Sequence, residues 1–109
     1  MTALDLSNQG LTELSRKLIP DKGITSLDLS NNSLVGLPPW IGDLTELREL
    51  ILVNNKLHFL PYSLQKCKNL EILNIAVNNL DTLPHSLWEL SNLKELKLHA
   101  NQFSSIPEE

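Results

Sequence analysis

The side chains that could carry out catalysis or bind a metal are few and form no cluster in the sequence. A metal site needs several ligands close together, but His58, His85 and His99 stand at three different positions of the 23-residue period described below. Cys67 takes a position that is otherwise leucine, so it faces the predicted core, where no base can activate it. The four glycines are scattered and form no phosphate-binding loop. The sequence therefore predicts no metal, no cofactor and no enzymatic activity.

Two aspartates form the one remaining candidate site. Asp5 and Asp28 are 23 residues apart, which would place them on adjacent strands about 5 Å from each other. Calcium requires six or more oxygen ligands, and a single carboxylate pair supplies too few. The spacing therefore favours repulsion across a solvated face over a weak cation site.

A sequence repeat sets the positions of these aspartates, histidines and Cys67 in the fold. The repeat is clearest in the segment 47–57, LRELILVNNKL. This stretch is apolar at Leu47, Leu50, Leu52 and Leu57, with Asn55 before the last leucine. A shift of 23 residues restores the pattern, which is filled in turn by Met1, Leu4, Leu6, Gln9 and Leu11; Ile24, Leu27, Leu29, Asn32 and Leu34; Leu70, Leu73, Ile75, Asn78 and Leu80; and Leu93, Leu96, Leu98, Asn101 and Phe103. Self-similarity at a fixed period of this length is typical of a stacked-repeat solenoid.

The period divides the chain into units within one predicted domain, 1–109. The units are 1–23, 24–46, 47–69, 70–92 and a partial unit, 93–109. Each first half alternates with period two, which predicts a strand of five residues that ends at an Asn-rich turn. Each second half contains leucine, proline and apolar residues three apart, as in Leu60-Pro61 followed by Leu64 and Cys67. This spacing predicts a short helix or 3₁₀ turns that return the chain along the outer surface.

One asparagine in each of units two to five, two residues before the last apolar position of the pattern, has a predicted structural role. A coil that bends inward buries backbone groups that no strand can pair, and a short amide supplies both a donor and an acceptor. We therefore expect a ladder of stacked side chains formed by Asn32, Asn55, Asn78 and Asn101. Gln9 is one methylene longer, so the ladder should be weakest in the first unit.

Composition narrows the range of partners. Nine Lys and Arg against thirteen Asp and Glu give a net charge of −4, which disfavours nucleic acid and anionic membranes. No apolar run approaches the roughly 20 residues of a membrane-spanning helix, and we expect no signal peptide because repeat residues begin at Met1. A single cysteine excludes a disulfide-stapled fold. These features together indicate an intracellular, cytoplasmic protein.

On these residues the chain resembles the leucine-rich repeat family, in particular the 23-residue class with L-P-x-x-L-x-x-L in its second half. Similar repeats occur in Ras-binding scaffolds and Roco-type proteins. The resemblance implies an α/β fold, a curved right-handed solenoid with five parallel strands on the concave face and short helical or 3₁₀ turns on the convex face. It also implies non-catalytic protein binding. The cysteine-rich caps of extracellular members are absent, which again favours an intracellular setting.

The predicted binding site lies on the concave face. Apolar residues occupy strand positions that should face water, at Ile51, Val53, Ile72, Ala76 and Val77, and such patches often mark interaction sites. The alternative is that β-branched residues simply suit strands. The predicted site residues are Glu49, Ile51, Val53, Ile72, Asn74, Val77, Lys97 and His99. This face covers about 300–400 Å², against about 800 Å² per partner in a standard interface, so we expect weak binding of a protein or peptide.

Two other functions stay open at this stage. The chain could be a self-associating structural element, or a fragment of a longer repeat protein, that interacts through the open ends of the solenoid, where Leu93, Leu96 and Leu98 would be uncovered. It could also be a non-catalytic regulatory subunit of a GTPase or a phosphatase. Trp40 and Trp88 either lie partly exposed over the return segments or form a second site.

Overall fold

The computed structural model describes residues 2–103, so the apolar position predicted at Met1 lies outside the described residues. Short strands alternate with 3₁₀ turns along this part of the chain. In order they are β1 (Ala3–Asp5), η1 (Arg16–Leu18), β2 (Ser26–Asp28), η2 (Pro39–Asp43), β3 (Glu49–Ile51), η3 (Tyr62–Lys66), β4 (Ile72–Asn74), η4 (His85–Glu89) and β5 (Glu95–Lys97). The division of all 109 residues into five units stays a prediction.

The strands are shorter than the five residues that the sequence predicts, and that prediction is wrong. Each strand has three residues, because the chain bends soon after the second leucine. After β3, for example, Asn54 adopts a left-handed conformation with φ of 60°. Hydrogen bonding between neighbouring turns nevertheless continues past the strand, since Leu52 N donates to Asn74 O over 2.8 Å.

The five strands form one open parallel sheet in the order β1-β2-β3-β4-β5. The register places Leu27 beside Leu50 and Leu50 beside Leu73, a step of 23 residues each time. These three leucines are completely buried, and the 3₁₀ turns lie on the opposite side of the core. The predicted parallel-stranded solenoid with short 3₁₀ turns is therefore confirmed.

Proline positions three of the four turns. Pro38, Pro61 and Pro84 directly precede η2, η3 and η4 and have extended backbones with φ between −66° and −74°, the value to which the ring restricts this angle. The first turn differs, because Ser15 replaces the proline and its hydroxyl accepts a hydrogen bond from Lys17 N. The return segment is thus set by proline chemistry after β2, β3 and β4 and by a serine cap after β1.

The buried asparagines join neighbouring turns through shared backbone carbonyls. The Asn55 side-chain amide donates to Leu29 O (3.0 Å) and Leu52 O (3.2 Å), and its Oδ1 accepts from Leu34 N (3.1 Å). Asn78 also donates to Leu52 O, over 2.9 Å. Each of these carbonyls therefore binds two successive asparagines, so the side chains form a continuous hydrogen-bonded column.

The first turn has the weakest version of this column. Gln9 is exposed, and its side-chain amide donates to Ser7 O over 3.2 Å. The deeper contacts are made instead by Asn32, whose Oδ1 accepts from both Gln9 N and Leu11 N at 3.0 Å. The longer glutamine side chain thus remains at the surface.

Burial is complete in the middle of the stack and partial at both ends. Leu29, Leu52 and Ile75 are fully buried, because turns on both sides cover them. The half-buried core positions of the end turns are Leu4, Leu6, Leu11, Leu93, Leu96, Leu98 and Phe103. The described residues contain no helix with the length and apolar character needed to span a membrane.

Candidate functional site

The outward-facing side of the sheet, which we call the strand face, is formed by alternate residues of each strand and of the turn that follows. In β3, Leu50 and Leu52 point into the core, whereas Glu49, Ile51 and Val53 are partly exposed. All eight residues predicted for the site stand at the equivalent outward positions of β3, β4 and β5 or of the turns after them: Glu49, Ile51, Val53, Ile72, Asn74, Val77, Lys97 and His99. The strand register brings these positions side by side across the sheet.

An apolar patch occupies the centre of this face. Ile51, Val53 and Ile72 are half-buried and Val77 is 39% exposed. Ala76, which the sequence places in the same patch, is only 1% exposed. Its single methyl group does not reach the surface, so the expectation that Ala76 contributes exposed apolar area is wrong.

Val77 is held in a conformation that valine disfavours. Its φ is 58°, in the left-handed region, where a β-branched side chain is an outlier. The equivalent residues after β1, β2 and β3 are Asn8, Asn31 and Asn54 with the same φ, and asparagine tolerates this region far better. Strained residues are held in place by the surrounding structure, and they cluster at functional sites. The exposed side chain of Val77 is therefore a candidate contact residue.

We expect the substitution Val77→Asn to stabilise the fold by about 1 kcal/mol, because it relieves this backbone strain. The free energy of unfolding in urea measures the effect. Ala100→Asn is the matched control, since Ala100 has the same φ of 59° without a branched side chain and should gain less. A loss of stability in the Val77 variant would show that the valine side chain contributes packing that outweighs its strain.

Charge changes sign along the strand face. The positions between the two central leucines read Asp5, Asp28, Ile51, Asn74 and Lys97 from β1 to β5. The Asp28 Oδ1 accepts hydrogen bonds from Ser30 N (2.9 Å) and Ser30 Oγ (2.6 Å). Asp5 bonds Ser7 in the same way, and these bonds lower the pKa of the Asp5 carboxyl. Both carboxylates are thus held in place on this face by the next serine.

The opposite end of the strand face carries charges of both signs, which pair with each other. Lys97 lies 3.2 Å from Glu95, and Lys94 lies 3.9 Å from Glu71. His99 is exposed beside them. Glu49, at the centre, accepts a hydrogen bond of 2.9 Å from Ser26 Oγ. The face therefore has an acidic end at β1–β2, an apolar centre and an end of mixed charge at β5.

The other side chains that could bind a metal or act as a nucleophile do not form a cluster in the described residues. Within residues 2–103, no group of three or more His, Cys, Asp or Glu side chains could hold a metal. Cys67 is completely buried, and burial raises the pKa of its thiol to about 11. Its sulfur lies 3.5 Å from Ile41 O. A protonated thiol without access to solvent is a poor nucleophile.

The sequence indicates only two residues, Tyr62 and His85 on the outer side of the repeats, of a second surface, which we call the lateral groove. It has a volume of about 420 Å³ and lies beside the start of η3 and η4. Its lining residues are Phe59, Leu60, Pro61, Tyr62, Thr82, Leu83, Pro84 and His85. Tyr62 and Phe59 are 68% and 55% exposed. The available signal was Phe59, which stands next to a periodic leucine where the neighbouring turns have Gly36 and Thr82.

The contacts of Trp40 indicate a structural role for this side chain. It is half-buried against the core, and the Arg16 guanidinium lies 5.0 Å from the centre of its ring. Arg16 also pairs with Asp43 over 3.1 Å. Cation–π and ionic contacts of this kind fix η1 against η2. Trp88 is likewise half-buried.

Comparison with known families identifies the class of protein. The family model described as leucine rich repeat matches residues 1–57 and 45–103, which is most of the chain. The protein therefore belongs to the leucine-rich repeat family. Domains of this family are protein-interaction modules and are in general non-catalytic. No curated protein sequence matches the chain significantly.

Solved structures of leucine-rich repeat proteins resemble the chain closely. A leucine-rich repeat protein of Leptospira interrogans is 30% identical with a TM-score of 0.87, and the match covers 98% of this chain and 33% of that one. A chain of the BIR3–SERK2 complex of Arabidopsis thaliana is 36% identical with a TM-score of 0.67, covering 75% and 46%. The ectodomain of the Arabidopsis receptor kinase SOBIR1 is 28% identical with a TM-score of 0.69, covering 84% and 51%.

These comparisons confirm the family of the chain. The chain spans between a third and about half of the length of these structures. The second of them comes from a complex of two proteins, in keeping with a protein-binding role for the family. The predicted intracellular location stays a prediction, as does the 23-residue class of the repeat.

Proposed function

We propose that this chain is a non-catalytic recognition module that binds a protein or peptide on its strand face. Ile51, Val53, Ile72 and Val77 are the apolar anchors of this site, and Glu49, Asn74, Lys97 and His99 orient the partner around them. The observation that carries the proposal is the strained and exposed Val77, in the turn after the strand that carries the half-buried Ile72. A strained apolar residue at the surface costs stability, and contact with a partner is the benefit that would retain it.

The size of the face supports a small or weakly bound partner. The strand face, which extends from the three-residue strands into the turns that follow them, is about 19 Å wide and covers about 300–400 Å². A standard stable interface takes about 800 Å² from each partner. Affinity here therefore depends on a few well-packed apolar contacts, as is usual for binding hot spots.

The double substitution Ile51→Asp with Ile72→Asp tests this proposal. We expect capture of a partner from the source lysate to fall by at least about tenfold, because two carboxylates would be buried without counter-charges in the contact. The fold should be retained, since both side chains point outward and are only half-buried. Quantitative affinity capture and circular dichroism provide the two measurements.

The matched control introduces two aspartates on a surface away from the strand face. Val35→Asp with Tyr62→Asp replaces residues that are 53% and 68% exposed and lie away from the strand face. This control should capture the partner normally. Capture that survives Ile51→Asp with Ile72→Asp but is lost in the control would move the binding site to the lateral groove and refute the proposal.

Self-association and service as a regulatory subunit of a GTPase or phosphatase stay predictions. The half-buried leucines at the two ends of the stack are compatible with the first of these. No contact on the strand face favours either of these alternative functions.

A further inference from the structure

We propose that the strand face selects an extended peptide with basic residues at one end, aliphatic residues in the middle and acidic residues at the other end. This inference rests on the proposed function and adds the chemistry of the partner. The peptide lies across the strands, with its basic end over Asp5 and Asp28, its aliphatic centre over Ile51 and Ile72, and its acidic end near Lys97.

The order of charges on the face carries the inference. Asp5 and Asp28 occupy adjacent positions of β1 and β2 in direct register, and within residues 2–103 neither has a salt-bridge partner. Ser7 and Ser30 bind one oxygen of each carboxylate, so the second oxygen is available to a ligand. Two like charges held side by side repel each other, and a basic side chain of a partner would relieve that repulsion.

Ile51 follows directly in the same row, and Ile72 lies in the neighbouring row, in register with Glu49. Ile51 is the register partner of Asp28 and Asn74 is the register partner of Ile51. Lys97 ends the row beside Asn74. Glu95 pairs with Lys97 at the surface, where such pairs contribute little, so a carboxylate of the peptide can compete for this lysine.

The dimensions favour a peptide over a second copy of the chain. From β1 to β5 the row is about 19 Å long, which matches about six residues of extended chain. A face of this size supplies about half of what a standard protein–protein interface requires. A face-to-face pair with β1 opposite β5 would also place the two Glu49 side chains against each other at the centre.

The test is an NMR titration of the full chain with three capped hexapeptides, acetyl-KKVIEE-amide, acetyl-SSVISS-amide and acetyl-EEVIEE-amide. We expect the first to bind about tenfold more tightly than the second at low salt, and the third to bind most weakly. The preference should shrink at high salt, because the charged contacts are exposed. Amide shifts should follow β1 to β5.

The variant Asp5→Asn with Asp28→Asn keeps an oxygen acceptor for Ser7 and Ser30 and removes both charges. It should lose most of the preference for KKVIEE over SSVISS. The control Glu46→Gln with Asp81→Asn removes two exposed charges elsewhere and should keep that preference.

Each other outcome overturns the inference in a distinct way. Equal binding of KKVIEE and SSVISS on the strand face would reject the charge order and leave the proposed function intact. Concentration-dependent shifts of the strand face without peptide would identify a second copy as the occupant. Absence of binding by all three peptides would reject the peptide chemistry, and the proposed function would then be decided by the capture experiment with Ile51→Asp and Ile72→Asp.

Discussion

Replacement of Asn78 with alanine is expected to destabilise the fold by about 3 kcal/mol, because it removes several buried hydrogen bonds and leaves a small void. Asn78 Oδ1 accepts from Leu57 N over 3.0 Å, and that amide would lose its acceptor inside the core. The side-chain amide also donates to Leu52 O, Ile75 O and Ala76 O. Unpaired buried backbone groups are costly because they have given up their bonds to water.

Because two asparagines share one backbone carbonyl, we also expect their substitutions to be non-additive. Leu52 O accepts from both Asn55 and Asn78, so one asparagine still serves it when the other is removed. The double variant Asn55→Ala with Asn78→Ala leaves it with neither. The loss in the double variant should therefore exceed the sum of the two single losses by about 1 kcal/mol.

Urea denaturation of the three variants measures these effects. Asn92→Ala is the control, because Asn92 makes a comparable bond of 2.8 Å to Lys68 O at the exposed surface and should cost less than about 1 kcal/mol. A loss for Asn78→Ala no larger than that of Asn92→Ala would contradict a structural role for the column of asparagines.

The substitution Gly42→Ala should destabilise the protein by about 3 kcal/mol, because it forces two backbones apart. A Cβ atom at Gly42 would overlap with Ser63 O and would lie 3.1 Å from Ser63 C. Both are backbone atoms of η3, which cannot rotate away as a side chain can. Glycine at this position is therefore what allows η2 to pack directly against η3.

Thermal and urea denaturation of the Gly42 variant test this contact. Gly23→Ala is the matched control, since its Cβ would meet only the Asp21 Oδ1 at 3.3 Å, and that carboxylate can move. We expect the control to change stability by less than about 0.5 kcal/mol. Equal effects at Gly42 and Gly23 would show that η2 and η3 can separate at little cost.

The periodic residues allowed most of the fold to be predicted. Leucines at fixed spacing specify which side chains turn inward, so the strand order, the parallel register and the buried positions of Leu50 and Leu73 all follow from the 23-residue step. Prolines before η2, η3 and η4 likewise marked the start of the returns. These features can be predicted from the sequence because the same residue types recur at the same positions of successive repeats.

Features that depend on contact between turns could not be predicted in the same way. The need for glycine at Gly42 arises from the distance between η2 and η3, which no single turn encodes. Burial of Ala76 depends on side-chain length relative to its neighbours. The lateral groove depends on Phe59 and Tyr62, which occur in only one turn. Strain at Val77 became evident only from its positive φ.

The most direct test of the account is a methyl NMR map of the captured partner on the chain, labelled at Ile, Leu and Val methyl groups. Addition of the partner should shift and broaden the methyl signals of Ile51, Ile72 and Val77 and leave those of Val35 unchanged. The opposite result, with Val35 perturbed and the three strand-face residues unaffected, would contradict the assignment of binding to the strand face.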